Sequence, residues 1–181
     1  MSIPNLISIA RLLAVPFTVY LILQGEFAVA FWLFIAAGIS DAVDGFLAKR
    51  FGMQSDLGGF LDPLADKALL MSVYVALGHE GHIATWLVIL VVFRDVLIIG
   101  GVMLIFLVNG GTTARPIAIS KLNTVAQISL VALVLAGLGI EPDVMPVIRP
   151  LAWLVAATTL ASGGAYLFNW IHQTRGEAHA E

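Results

Sequence analysis

Four aspartates, Asp41, Asp44, Asp62 and Asp66, have the spacing that points most directly to chemistry. In helices, residues three or four positions apart share a face, so each successive pair lies on one side of its helix. A short hairpin between the two helices would bring the pairs together. Four carboxylates in one place repel each other, and they stay ionised together only when cations lie among them. Oxygen-only ligands favour a hard divalent ion, Mg²⁺ or Mn²⁺.

Small and basic residues accompany these acids. Gly45 directly follows the first pair, and Gly58 comes one turn before the second. The missing side chains there, and the short one of Ala48, would let a phosphate or a base approach the backbone closely. Lys49 and Arg50 supply positive charge that suits a phosphate. The combination is typical of diphosphate chemistry, in which a metal neutralises the diphosphate and a carboxylate deprotonates the attacking hydroxyl.

The elements that must position these residues are expected to lie in a membrane. The chain has 181 residues, of which 60% are apolar and 12% are charged, about half the charge of an ordinary soluble domain. Its mean hydropathy is +0.97. A chain this short has too little interior to hide so much apolar surface, which excludes a soluble enzyme, a disordered chain and a nucleic-acid binder. The absence of cysteine excludes disulfides and thiolate metal sites.

Turn signals divide the chain into six predicted membrane helices in one all-α domain, residues 1–181. The helices are predicted at residues 5–24, 27–49, 58–78, 83–108, 118–138 and 148–172. Basic residues concentrate on one side of the predicted membrane, in two loops and the C-terminal segment, at Lys49, Arg50, Arg115, Lys121 and Arg175. The positive-inside rule predicts that this side is cytoplasmic. Both termini and the acidic residues are expected on the same side.

The acidic segment resembles the signature of the CDP-alcohol phosphatidyltransferases, D-x2-D-G-x2-A-R-x8-G-x3-D-x3-D. Seven of its eight fixed positions match between Asp41 and Asp66 with the same spacing. The departure is Lys49, where the family usually has arginine; lysine keeps the charge and loses the bidentate geometry, for which Arg50 could compensate. The resemblance extends over nearly the whole chain, because the family has six transmembrane helices and an active site that faces the cytosol.

This resemblance implies transfer of a phosphatidyl group from CDP-diacylglycerol to an alcohol, with release of CMP. Asp41, Asp44 and Asp62 resemble metal ligands, and Asp66 resembles a ligand that is also the catalytic base for the acceptor alcohol. The residues that would line the CMP half of the CDP-lipid are Asp41, Gly45, Ala48, Lys49 and Gly58. We further expect two divalent ions, Mg²⁺ or Mn²⁺, a homodimer, and a location in a bacterial inner membrane with the active site facing the cytoplasm.

The later helices hold the candidates for acceptor binding. Arg94 and Asp95 fall in the middle of the fourth predicted helix, where charge is costly unless it faces a polar cavity. Adjacent residues diverge by about 100° around a helix, so we expect each of the two to need a partner elsewhere. Lys121, Thr124 and Gln127 form a polar stripe that is expected to point into the bundle.

Two segments, residues 93–96 and 120–127, look most like the eukaryotic-type cardiolipin synthases, which also occur in bacteria. Phosphatidylglycerophosphate synthases usually carry Arg-Glu in the fourth helix, a further arginine soon after it, and lysine in place of Asn123. Between Asp95 and Arg115 this chain has no basic residue. Glycerol-3-phosphate is a dianion and would need one, whereas phosphatidylglycerol has a single phosphodiester charge. We therefore expect phosphatidylglycerol as the acceptor, with phosphatidylglycerophosphate synthesis as the alternative.

Several roles stay open at this point. The candidates for binding the acceptor or a phosphate are Arg11, Arg50, Arg94, Arg115, Lys121, Asn123 and Gln127. Arg11 could instead pair with the acidic cluster, and Arg94 could belong to a structural ion pair. Lys121 could be an interfacial anchor, and Gln127 a hydrogen bond between helices. A divalent-cation transporter would also need intramembrane carboxylates, but near the midplane and in two related halves, and the sequence has no internal symmetry.

Overall fold

The computed structural model describes the backbone of residues 3–51, 56–109 and 118–177, and the side chains of residues 9–41, 43, 67–101 and 119–166. Over the described residues the chain is all-helical. The elements in order are α1 (Ile3–Leu23), α2 (Phe27–Phe51), α3 (Asp56–His79), α4 (Thr85–Asn109), α5 (Ala118–Gly139), a 3-10 turn (Pro142–Val144) and α6 (Met145–Glu177). The six predicted helices are confirmed, and every end agrees with its prediction to within five residues.

The chain divides into two compact units, and each is built from segments distant in the sequence. The first unit comprises Met1–Thr85 and Val131–Ile148, and the second comprises Trp86–Leu130 and Arg149–Glu181. The boundaries fall within α5 and near the starts of α4 and α6. The units are therefore not consecutive lengths of chain.

In the first unit, α1 packs against both α2 and α3. Among the side chains described in this unit, the buried polar ones are Arg11 and Thr18. The Thr18 hydroxyl donates to the carbonyl oxygen of Ala14, one turn earlier, at 2.8 Å, so it is satisfied within its own helix. The surrounding core is apolar and includes Ile22, Phe34, Val73, Tyr74, Leu77, Val134 and Leu135.

Two glycines with positive φ end α1 and α3. Gly25 has φ of +77°, and the N–H of Glu26 donates to the carbonyl of Leu21 at 2.9 Å. Gly81 has φ of +78°, and the N–H that follows it donates to the carbonyl of Leu77, also at 2.9 Å. These bonds satisfy carbonyls that the helix ends leave open, and glycine adopts the left-handed conformation without strain. The turns predicted at both places are confirmed.

Gly139, the last residue of α5, lies against the beginning of α2. A Cβ atom at this position would come within 2.7 Å of the carbonyl carbon of Phe27 and of the Cα atom of Ala28. Backbone atoms cannot move aside as a flexible side chain can. The contact between these two helix ends therefore depends on the missing side chain.

The outer surface of the described helices is strongly apolar, as expected of a chain surrounded by lipid. Within the described part of the chain, two segments are long and apolar enough to cross a membrane by length and composition, Ile119–Gly139 and Pro142–Tyr166. Shorter apolar segments occur in α1, α2 and α3. The orientation of the termini and the full number of spans stay predictions. Large side chains that are more than 60% exposed include Phe17, Tyr20, Trp32, Ile89, Phe93, Trp153 and Leu160.

Candidate functional site

The four aspartates of the predicted metal site lie on two helices of the first unit. Asp41 and Asp44 are on α2, and Asp62 and Asp66 are on α3, so the helical spacing expected of each pair is confirmed. Asp41 is the member whose side chain belongs to the described residues. The other three side chains lie outside them. Convergence of the two pairs therefore stays a prediction.

Arg11 on α1 forms an ion pair with Asp41 on α2, with Nη1 donating to Oδ1. The Arg11 side chain is 2% exposed, whereas that of Asp41 is 39% exposed. Of the two roles open to Arg11, the structure shows the pairing with the acidic cluster. The bond to Arg11 uses one of the two carboxylate oxygens of Asp41, and the Asp41 side chain stays accessible to solvent. Asp41 can therefore still offer an oxygen to a ligand.

The fit of a divalent ion to this segment rests on the chemistry of the donors. The four predicted ligands are all carboxylates, which suits Mg²⁺ or Mn²⁺. Asp41, the described member, is partly exposed although it pairs with Arg11. Within the described residues alone, no group of three or more His, Asp or Glu could hold a metal. The donor set fits the ion, and the complete ligand geometry lies outside the described residues.

The residues predicted to bind the CDP-lipid follow the same helices. Gly45, Ala48, Lys49 and Arg50 belong to the last turns of α2, and Gly58 belongs to the first turn of α3. Their contacts lie outside the described residues, as does the whole of Arg115. Their roles stay predictions.

The second unit has a polar core built from α4, α5 and α6. This differs from the first unit, whose described core is mainly apolar. In a membrane protein, polar side chains buried between helices either stabilise the bundle or bind a ligand. The buried polar residues that the structure describes in this unit are Arg94, Asp95, Asn123, Gln127, Thr158, Thr159 and Ser162.

Arg94 binds groups on three helices of this unit. Nη1 donates to Oδ1 of Asp95 at 2.6 Å, and Nη2 donates to Oγ of Ser120 on α5 at 2.7 Å and to Oγ of Ser162 on α6. The prediction that Arg94 has partners elsewhere is confirmed by the two serines, whereas its pairing with Asp95 was not predicted. The arginine side chain is long enough to reach back across the angle that separates neighbouring positions. The internal neutralisation favours the structural interpretation of Arg94 over binding of a phosphate.

The predicted polar stripe on α5 was wrong at its first member. Lys121 is exposed, Thr124 is half-buried and Gln127 is fully buried. At 100° per residue, positions six apart are separated by about 120° around the helix and cannot share one face. The buried polar face runs instead through Asn123 and Gln127, which are four positions apart.

Asn123 is completely buried and is held by two threonines of α6. Its Oδ1 accepts hydrogen bonds from Oγ1 of Thr158 at 2.8 Å and from Oγ1 of Thr159 at 2.9 Å. Its Nδ2 has no hydrogen-bond partner among the residues that the structure describes. Asn123 was among the predicted residues and the two threonines were not. The only signal for them in the sequence is a pair of adjacent hydroxyls in an otherwise apolar stretch of α6.

Comparison with known proteins agrees with the resemblance of the acidic segment. The chain is 36% identical to CDP-diacylglycerol–glycerol-3-phosphate 3-phosphatidyltransferase 1, chloroplastic, of Oryza sativa subsp. japonica, over 92% of this chain and 56% of the relative. It is 36% identical to cardiolipin synthase (CMP-forming) of Rattus norvegicus, over 91% of this chain and 60% of the relative. It is 29% identical to CDP-diacylglycerol–glycerol-3-phosphate 3-phosphatidyltransferase of Bacillus subtilis (strain 168), over 93% of this chain and 95% of the relative.

The chain thus spans 56–60% of the length of the first two relatives and nearly all of the third. Residues 1–162 match the family described as CDP-alcohol phosphatidyltransferase. The matched region includes the four aspartates and runs through both structural units. The chain belongs to the CDP-alcohol phosphatidyltransferase family.

Proposed function

We propose that this chain is a membrane enzyme of phospholipid biosynthesis that transfers a phosphatidyl group from CDP-diacylglycerol to phosphatidylglycerol, producing cardiolipin and CMP. Family membership and the four aspartates on α2 and α3 support the reaction type. The matched region runs through both structural units, which supports a single functional domain over residues 1–181. The family match gives the transporter alternative no support.

The observation that carries the choice of acceptor is the charge balance of the polar core of α4, α5 and α6. Arg94 is the one buried cation among the described residues of these helices, and Asp95 neutralises it. The other buried polar groups are uncharged amides and hydroxyls. A dianion such as glycerol-3-phosphate would lose its hydration here without gaining a free cation. The phosphatidylglycerol headgroup, with hydroxyls and one negative charge, suits neutral hydrogen-bonding groups better.

In the proposed reaction, Asp66 accepts the proton of the acceptor hydroxyl. The hydroxyl oxygen then attacks the phosphorus next to the diacylglycerol, and the phosphoanhydride bond breaks with CMP as the leaving group. Asp41, Asp44, Asp62 and Asp66 would hold two ions of Mg²⁺ or Mn²⁺, which when bound neutralise diphosphate charge. Arg11 orients Asp41 through the described ion pair.

The proposal also covers the surroundings of the reaction. Gly45, Ala48, Lys49 and Gly58 would form the wall against which the CMP half of the substrate lies, with Arg50 as an additional cation. We propose that the membrane is a bacterial inner membrane and that the active site faces the cytoplasm, the side to which the positive-inside rule assigns the basic loops. We further propose a homodimer, which cross-linking in the membrane followed by mass measurement would test.

Phosphatidylglycerophosphate synthesis is the second candidate. The relatives from Oryza sativa and Bacillus subtilis have names that state a glycerol-3-phosphate acceptor, and their identity to this chain is 36% and 29%. The cardiolipin synthase from Rattus norvegicus is also 36% identical to this chain. Overall identity therefore does not separate the two acceptors.

The deciding experiment supplies the purified protein with CDP-diacylglycerol and one acceptor at a time, with CMP release and the lipid product both measured. Phosphatidylglycerol, glycerol-3-phosphate, serine and inositol phosphate are compared, each with Mg²⁺, with Mn²⁺ and with a chelator. We expect cardiolipin from phosphatidylglycerol and no turnover in the chelator. Turnover with glycerol-3-phosphate and with no other acceptor would refute phosphatidylglycerol as the acceptor, but it would still support the proposed reaction type. CMP release that the chelator does not diminish would refute the role of the metal.

A further inference from the structure

The side-chain amide of Asn123 has one end fixed and one end unused. Thr158 and Thr159 donate to Oδ1 at 2.8 and 2.9 Å. The residue is completely buried, yet Nδ2 has no hydrogen-bond partner in the described part of the chain. A buried donor without a partner is costly, and such groups concentrate where a ligand or a water completes the site.

The two threonines determine which end of the amide faces them. The Thr158 hydroxyl has further acceptors in its own helix, the carbonyl oxygens of Leu154 at 2.9 Å and Val155 at 3.1 Å. Among the described residues, the hydroxyl of Thr159 has one acceptor, Oδ1 of Asn123. The oxygen end of the amide must therefore face Thr159 for that proton to be used. The NH₂ group lies at the opposite end.

We propose that Nδ2 of Asn123 donates a hydrogen bond to an oxygen of the acceptor alcohol, and that Thr159, with Thr158, is a positioning residue that orients this amide. The inference rests on the function proposed above and adds a specificity-determining residue to it. A neutral NH₂ group binds a hydroxyl or phosphate-ester oxygen without adding charge to the core. Phosphatidylglycerol and glycerol-3-phosphate both present such oxygens, so the two acceptors are tested in parallel.

The first test replaces Asn123 by aspartate and, separately, by alanine, and measures KM for each substrate in the purified protein. Aspartate has the same shape and can accept both threonine hydroxyls, but it lacks the NH₂ donor. We expect Asn123→Asp and Asn123→Ala to raise the KM of the acceptor roughly tenfold or more, with the KM of CDP-diacylglycerol changed less than about twofold. Thermal unfolding of each variant verifies that it is folded.

Two results of this test would overturn the inference. An unchanged acceptor KM in Asn123→Asp would mean that Asn123 only ties α5 to α6, because the aspartate keeps those bonds. A rise confined to the KM of CDP-diacylglycerol would place the amide on the other substrate. Wild-type protein that releases no CMP with either acceptor would refute the proposed function itself, and the two failures are therefore distinguishable.

The positioning role is tested by Thr159→Val, with Thr18→Val as the matched control. Both threonines are buried, but the Thr18 hydroxyl is bonded to its own helix. We expect Thr159→Val to raise the acceptor KM severalfold and to add little to Asn123→Ala, because both changes remove the same oriented donor. Thr18→Val should leave both KM values unchanged. If the effects of Thr159→Val and Asn123→Ala on the acceptor KM were fully additive, a positioning role would be contradicted. A rise in the acceptor KM for Thr18→Val as large as that for Thr159→Val would contradict it as well.

Discussion

Arg11 in α1 donates from Nη1 to Oδ1 of Asp41 in α2, thirty positions later in the chain. The arginine is almost fully buried and the carboxylate is partly exposed. The pair ties the first helix to the helix that carries the first two predicted metal ligands. The orientation of Asp41 therefore depends on a residue outside the family's signature.

Replacing Arg11 by methionine should lower both stability and turnover. Methionine fills much of the apolar volume but cannot donate to Asp41, and loss of a charged hydrogen bond costs about 1–3 kcal/mol. Thermal unfolding and CMP release measure the two effects. Arg149→Met is the matched control, because that arginine is exposed. Equal effects of the two changes would show that the ion pair contributes nothing specific.

Asp66→Asn should abolish turnover and leave binding of CDP-diacylglycerol largely intact. Asparagine keeps the size of the side chain but cannot accept the proton of the acceptor alcohol. Equilibrium binding of a labelled CDP-lipid and CMP release are measured on the same preparation. Asp56→Asn, a change of the same kind at the start of α3 and at none of the fixed positions of the signature, should keep its activity. Loss of nucleotide binding in Asp66→Asn would assign Asp66 to metal ligation rather than to proton transfer.

The Arg94–Asp95 pair should tolerate joint replacement better than single replacement. Arg94→Met alone leaves Asp95 as a buried charge without this partner, a change that costs about 3–5 kcal/mol for buried pairs. The double variant, Arg94→Met with Asp95→Leu, removes both charges and should recover part of the stability and of the turnover. Thermal unfolding and CMP release measure the recovery. A double variant that regains stability and stays inactive would show that Arg94 contacts a substrate.

Gly139→Ala should destabilise the protein by about 1–3 kcal/mol, because the added methyl group meets the backbone of Phe27 and Ala28. Gly38→Ala is the control, since a Cβ atom at Gly38 has open space. That change should be neutral or stabilising by up to about 1 kcal/mol. The melting temperatures of the two variants in the same detergent test the difference. Similar melting temperatures would contradict the close approach of α5 and α2.

Most of the helical architecture could be predicted because lipid imposes simple rules. A helix that crosses a bilayer must be long and apolar, and its joints need turn residues such as Gly25 and Gly81. Both signals are local, so the six helices could be predicted to within a few residues. The pairing of Asp41 with Asp44, and of Asp62 with Asp66, follows from the same helical periodicity.

Errors arose where the outcome depended on the reach and burial of side chains. Arg94 pairs with the adjacent Asp95 because its long side chain can bend back over the angle that separates neighbouring positions around the helix. Lys121 is exposed and Asn123 is buried, although both lie in the same polar segment. The two positions are about 200° apart around α5, so they lie on nearly opposite faces, and the packing of the helices decides which face is buried.

The amino-acid sequence by itself determined the class of the protein, because composition, turn residues and the aspartate spacing are local properties of the chain. The scarcity of charge required lipid, and the signature around Asp41 and Asp66 indicated the family. Only the tertiary structure decided which residues distant in the sequence contact the predicted site residues. Arg11 meets Asp41, and Thr159 orients Asn123, across separations of 30 and 36 residues. Such pairs arise when packing brings faces of different helices together, and no periodicity along one helix specifies them.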